Sequence, residues 1–455
     1  MKKIRIDVKE NVEKYIDKVF KSIEQLYDEK MINPLYFLDV IYLSSIVLFL
    51  YNEENKTKRS GLHVNAEKWD EIGYKLCYEM KRYIENDHPH KDRIGMISGF
   101  GYCCFAVEQY SEASGRLKNF SASLHKLFLE ETFERSSLYK LKYDRTNSND
   151  FDSISGVSGW LYYLLDYDKC DDKQLYEKSM NAMIDYLIGL TNTHDYKGKK
   201  AYNFHIPREE LFLDTEKERN PNGIYNFGMS HGIIAPMLAL SKAYTKGFRS
   251  GDVKQSVDII YKLYKDFESN TEDSVYWPAQ LSYDDYLKNT VTDTKNFASS
   301  WCYGNCGVLM GLIMTAENMG WKEEKKALQS KLEKVLNRGI EDYYLVSPAL
   351  CHGFSGVLAT RLFNKRNLMN VTDDPDSESR TETEYLEDAV QKIIGVSEQN
   401  TVLAIRNPEE IENEYGRLEG FIGDYSFLNG VTGIVAVFCE LLYEFDDYRK
   451  ILLIS

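Results

Sequence analysis

Apolar residues recur along this chain at helical rather than strand spacing. Val253, Val257, Ile260, Tyr264 and Phe267 follow steps of four, three, four and three, which puts them on one stripe of a helix. Leu328, Leu332, Val335 and Leu336 do the same further along. Strand-like alternation is scarce, the clearest case running from Tyr202 to Ile206. The spacing predicts a mostly α protein.

A longer period lies above the helical one. A small or polar residue precedes glycine, and an apolar helix-like run follows. The instances are Ser98-Gly99, Ser155-Gly156-Val157-Ser158-Gly159, His231-Gly232, Tyr303-Gly304-Asn305-Cys306-Gly307, His352-Gly353-Phe354-Ser355-Gly356 and Asn429-Gly430-Val431-Thr432-Gly433. Successive leading glycines stand 49 to 77 residues apart, room for a helix, a loop and another helix. Leu43 to Leu50 reads as a seventh, degenerate member. Glycine at a helix start lets backbones crowd where side chains cannot fit. The helices after these glycines are apolar nearly all round and belong inside; the intervening ones are amphipathic and belong outside. Such hairpins build an open solenoid or a closed α/α toroid. Closure is favoured, because the turns would then converge on one face and could form a single site. Taken singly, each glycine is equally well read as a packing device.

The whole chain, 1–455, reads as one domain with two interruptions. Asn192 to Asn226 is polar, contains the short alternating piece and ends in Asn220-Pro221-Asn222-Gly223, a turn signal, so 192–226 is expected to be an inserted loop or small extended subdomain. Val371 to Asp388 carries eight acids, one Arg and Pro375, and reads as an acidic exposed loop over 371–388.

Composition narrows the function. A net charge of −15 argues against a nucleic-acid binder, which would show a basic face. The N-terminus has two lysines but no apolar stretch behind them, against a secretory signal. The longest apolar run, Leu35 to Tyr51, carries Asp39, Ser44 and Ser45 and falls short of the roughly 20 residues of a membrane span, so it reads as a buried core helix. Eight scattered cysteines, Cys103 and Cys104 adjacent, do not form a disulfide framework. The expected location is a reducing cytoplasm.

Three of the repeat turns hold residues that bind soft metals: Ser230-His231-Gly232, Trp301-Cys302-Tyr303-Gly304 and Cys351-His352-Gly353. In a ring, turns distant in sequence become neighbours. Cys351 and His352 can reach one metal if the chain bends at Gly353, and Cys302 would complete a Cys₂His set with a fourth position open, as catalytic zinc requires. Cys77, Cys170 and Cys439 lie off the turns and read as core, and Cys103 and Cys104 have no nearby His. Cys306, four residues after Cys302, is a competing partner on one helical face. Two thiolates and a neutral imidazole leave Zn²⁺ formally uncharged. An incoming thiol would lose its proton and keep a nucleophilic sulfur, which suits sulfur alkylation better than hydrolysis.

GMSHG, SWCYGNCG and LCHGFSG, at 228–232, 300–307 and 350–356, resemble the signature of the LanC lanthipeptide cyclases, nearest to the stand-alone type of the nisin, subtilin and epidermin systems. The repeat pattern spans about residue 43 to 442, so the resemblance covers nearly the whole chain. It implies an all-α fold, an α/α toroid of seven inner and seven outer helices, with one Zn²⁺ held by Cys302, Cys351 and His352. It implies that His231 is the acid/base, that Asp152 is an acidic residue implicated in catalysis, and that Tyr303 lines the pocket. Asp152 reads equally well as an N-cap for the helix that follows. The family often has Arg four residues before the first Cys ligand; here that position is Ala298, with Lys295 nearby as a substitute.

The resemblance also implies the activity, a lanthionine or methyllanthionine synthetase adding the Cys thiols of a dehydrated precursor peptide across dehydroalanine or dehydrobutyrine. Its implied partners are that peptide, with a dehydratase and an ABC exporter in a membrane-associated complex and no nucleic acid. That would place a cytoplasmic chain peripherally at the inner face of the membrane. Competing readings are a prenyltransferase-like toroid, a non-catalytic peptide scaffold and a LanC-like glutathione-binding protein. Prenyltransferases usually offer Asp, Cys and His to the metal, which the adjacent Cys351 and His352 do not favour.

Overall fold

The computed structural model describes residues 4–52, 61–87, 93–97, 99–248, 250–271, 274–292, 299–367, 382–399 and 424–455. Helices dominate and every described strand is short, as the spacing predicts. The chain divides into two compact units. One comprises residues 1–89, 103–121 and 338–447, the other 90–102, 122–337 and 448–455.

In the first unit the apolar helix Phe37–Tyr51 packs against Ala66–Asp87 and against Val431–Tyr443. Helix Phe354–Asn367 packs on Val431–Tyr443 and on Glu382–Gln399. By length and composition, Pro34–Tyr51 is apolar enough to cross a membrane. Yet Val40 to Val47 are buried inside the unit, which is the core helix the sequence predicts. The acidic stretch departs from expectation. Residues 371–381 lie outside the described residues, but 382–388 open a helix rather than a loop. Glu382 and Glu384 sit in its first turn, where acids complement the helix dipole, and Leu386, Ala389, Val390 and Ile393 give it a buried stripe that the charge count hides.

In the second unit helix Ile234–Thr245 is the hub, packing on Val157–Leu164, Ser250–Asp266 and Asn305–Asn318. Two kinds of helix are visible. Val157–Leu164 is buried at every position and Asn305–Asn318 from Asn305 to Ala316. By contrast, Lys322–Leu336 buries only Leu328, Leu332, Val335 and Leu336, the stripe read from its spacing. Val253, Val257, Ile260, Tyr264 and Phe267 are buried likewise. Each such fully buried Val or Leu contributes roughly 1.5–3 kcal/mol.

Residues 192–226 form a hairpin of Thr193–Tyr196 with Lys199–Tyr202, a short helix Asp214–Arg219, and strand Ile224–Asn226 paired with Gln280–Ser282. The strand predicted at Tyr202 to Ile206 instead ends at Tyr202. Residues 203–206 are buried without alternation, held by Asn203 amide bonds to Asn192 and Gly189 carbonyls and by an Ile206–Ile224 bridge. The turn at Asn220 to Gly223 forms as read, closed by the Gly223 N–H on the Asn220 carbonyl at 3.0 Å.

Candidate active site

The glycine turns share one construction. A Cβ on Gly156 would stand 2.3 Å from the Asp152 nitrogen, one on Gly232 2.2 Å from the Gly228 carbonyl, and one on Gly353 2.3 Å from the Ser347 carbonyl. In each, the helix start folds back on the loop before it so closely that only glycine fits. Within the second unit the turns are strung together by backbone bonds. The Met96 N–H donates to Ile154 (2.7 Å), Ser153 to Ser230 (3.2 Å) and Met229 to Cys302 (2.8 Å). In the first unit Cys351 donates to Leu428 at 2.9 Å.

Asp152 is fully buried, and its two oxygens divide the work. Oδ1 accepts from the backbone N–H groups of Ile154 (3.0 Å), Ser155 (2.6 Å) and Gly156 (2.9 Å). Oδ2 accepts from His231 Nδ1 at 2.5 Å. Asp152 is not the N-cap of helix Val157–Leu164, which is Gly156; its carboxylate closes the loop before that helix and grips a histidine from the next repeat. With Nδ1–H committed to the carboxylate, the other ring nitrogen of His231 is the one left for chemistry. The His231 side chain is 29% exposed, enough to meet a substrate. Burial pulls its pKa down, but the hydrogen bond and charge of Asp152, with the charges of Cys302 and Glu216, outweigh burial and raise it above the ordinary value.

The next turn carries Cys302 and Tyr303. Cys302 is buried, its sulfur 3.5 Å from Ser300 Oγ, and its carbonyl receives Met229 and Ser230 N–H. Gly304, with φ +128°, turns the chain away immediately afterwards into helix Asn305–Asn318, a conformation side chains disfavour. Tyr303 lies over Gly228, where a Cβ would come within 2.4 Å of its ring, and its centroid is 6.5 Å from that of His231. Burial pushes the Tyr303 phenol up, so it stays protonated near neutrality. Phe212 meets the His231 ring edge-on at 5.8 Å.

Of the predicted metal ligands, Cys302 lies buried in the second unit, while Cys351, half-buried, and His352, exposed, lie in the first. Two thiolates and an imidazole are soft donors that suit zinc. Cys306 is buried, as are Cys77, Cys103, Cys104, Cys170 and Cys439, and none of the eight cysteines is in a disulfide. Ala298 and Lys295 lie outside the described residues. Three contributors escaped the sequence reading: Asn226, whose amide holds Tyr303; Phe212; and Glu216, which accepts from Leu213 N–H and from Gln280. Asn226 stands two residues before GMSHG, but only the pairing of Ile224–Asn226 with Gln280–Ser282 fixes where it sits.

The chain is 26% identical over 389 residues, 83% of its own length and 82% of the relative's, to the nisin biosynthesis protein NisC of Lactococcus lactis subsp. lactis. Its structure is similar to that of a nisin cyclase, with a TM-score of 0.73 at 21% identity over 97% of this chain and 98% of that one. That likeness gives the fold, the α/α toroid expected from the glycine repeat. Residues 43–453 match the family described as Lanthionine synthetase C-like protein. With nine-tenths of its length inside that match, the chain belongs to the lanthionine synthetase C-like proteins.

Proposed function

We propose that this protein is a zinc-dependent lanthionine-forming peptide cyclase. In this reading it adds Cys thiols of a dehydrated precursor peptide to dehydroalanine or dehydrobutyrine in a Michael-type step. The observation that carries the reading is the buried Asp152 gripping His231 beside the Cys302–Tyr303 turn. Membership of the family and the relative named for nisin biosynthesis support the substrate class.

Cys302, Cys351 and His352 would hold the ion. When bound, zinc lowers the pKa of a substrate thiol and keeps its sulfur nucleophilic. The remaining work falls to the chain. The sulfur forms a bond to the substrate β-carbon, and the π electrons of the double bond move onto the α-carbon and its carbonyl oxygen. His231, its Nδ1–H held on Asp152 and its pKa raised, carries a proton on the free ring nitrogen and delivers it to the α-carbon. The proton given up by the thiol balances the one consumed. Tyr303 presents a protonated hydroxyl at the same face.

The test is incubation of the protein with a dehydrated precursor peptide, followed by alkylation of the cysteines that remain. Ring closure does not change mass, so blocked alkylation is the readout. Wild type is expected to consume the thiols and His231→Asn to leave them free or close the wrong rings. A wild type that binds the peptide and leaves its thiols alkylatable would make the chain a scaffold instead.

A further inference from the structure

The geometry points to Asn226 as a positioning residue that makes the Tyr303 hydroxyl an obligate donor to the carbonyl oxygen of the dehydroamino acid. The inference rests on the cyclase reading above and adds a residue to it.

Asn226 is 2% exposed and ends strand Ile224–Asn226, whose pairing to Gln280–Ser282 fixes its backbone. Its side chain makes two bonds. Oδ1 accepts from the Gly228 N–H at 2.9 Å, and Nδ2 lies 2.9 Å from the Tyr303 hydroxyl. These bonds fix which way the amide faces. A backbone N–H can only donate, so the oxygen must face Gly228 and the NH₂ must face Tyr303. Tyr303 Oη therefore accepts from Asn226, and its own proton is left for another acceptor. The Asn226 carbonyl also receives the Ile233 N–H at 2.9 Å, so one residue ties both ends of the turn that carries His231.

Tyr303 is partly exposed, as is His231, and their rings stand 6.5 Å apart. A dehydroamino acid presented to His231 for protonation at its α-carbon brings its carbonyl oxygen to the same face. Negative charge gathers on that oxygen as the sulfur adds. A hydroxyl whose proton cannot turn toward Asn226 is aimed in advance, and its bond to the oxygen strengthens as charge develops. No proton is transferred by Tyr303; it stabilises the oxyanion while His231 supplies the proton to carbon.

The substitutions Asn226→Asp, Asn226→Ala and Tyr303→Phe separate this role from a structural one. Asp keeps the shape and the acceptor for Gly228 but takes the phenol proton for itself. Ala leaves the hydroxyl free to point either way. Ring closure should fall in kcat by about 10²-fold in Tyr303→Phe, by a similar factor in Asn226→Asp and by less in Asn226→Ala, with KM little changed. Asn226→Asp added to Tyr303→Phe should cost nothing further. A purely structural Asn226 predicts the reverse order, with near-isosteric Asp mild and Ala worst in both thermal stability and rate, and that order would overturn the inference. So would additive losses in the double variant, or a Tyr303→Phe enzyme as fast as wild type. If Asn226→Asp does not fold, Asn226→Ala measured with and without Tyr303→Phe gives the same test of additivity. Failure of the wild type itself to close rings would instead overturn the cyclase reading, and this role with it.

Discussion

Two histidines in the second unit show how one residue type is set to opposite tasks. His231, in a glycine turn, is hydrogen-bonded to the Asp152 carboxylate, and His205, in the 192–226 insertion, to the Asn222 carbonyl at 2.9 Å. Burial disfavours the charged ring in both. At His205 it prevails, with help from the nearby positive charge of Lys197, and the pKa falls to about 4; the carbonyl dipole is too weak to resist. At His231 a full negative charge at bonding distance overcomes burial and the pKa rises. The neutral histidine is locked among Tyr196, Tyr225 and Tyr283 as structure. The other holds its proton more firmly than an ordinary histidine. The partner, rather than the burial, decides which is which.

Breaking that partnership should give the largest effect. Asp152→Asn leaves an acceptor for the loop amides but removes the charge, so ring closure should slow on the order of 10²–10⁴-fold. The His231 titration followed by NMR should move to lower pH in the same variant. An unchanged titration would show that Asp152 acts only on the loop.

The turns and the insertion also differ in backbone rigidity. Gly232→Ala drives a methyl to 2.2 Å from a backbone carbonyl, whereas Gly198, at φ +80° in the hairpin loop, has nothing within 4 Å. Denaturant unfolding should show a loss of about 3 kcal/mol for Gly232→Ala, the upper end for overpacking, together with impaired ring closure. Gly198→Ala should lose only about 1 kcal/mol, from its left-handed backbone, with activity intact. Equal losses would mean the turns are no tighter than the hairpin.

The smallest effect is in the pH dependence of stability, where the two histidines have opposite signs. The folded state refuses a proton at His205 that the unfolded chain takes up below about 6.5. Its contribution is therefore present above that pH and drains away as pH falls toward about 4. The contribution of His231 is full below about 6.5 and is lost as pH rises through its raised folded pKa. Midpoints measured across pH 4–9 should lose acid sensitivity in His205→Asn and alkaline sensitivity in His231→Asn. Identical slopes in the two variants would contradict the assignment.

Much of this was legible in sequence because it rests on repetition. Helical stripes such as Leu328 to Leu336 follow from period alone, and the glycine turns announce themselves by what cannot fit beside them. Asp152, His231, Tyr303, Cys302, Cys351 and His352 stood out as candidates because they sit on or beside those turns. Asn226, Phe212 and Glu216 did not, since they reach the site from an insertion that breaks the repeat, through strand pairing and ring contacts that leave no periodic trace. The helix at Glu382–Gln399 was masked in part by its own acids, which serve its N-terminus.

The central claim is that ring closure needs a zinc ion held by Cys302, Cys351 and His352 and a proton from His231. Zinc content and thiol consumption measured on the same preparations of wild type, Cys302→Ala and His231→Asn test it directly. The expected result is stoichiometric zinc in wild type and His231→Asn, depleted zinc in Cys302→Ala, and correct rings from wild type alone. Correct rings from a metal-free preparation, or from Cys302→Ala at wild-type rate, would contradict it.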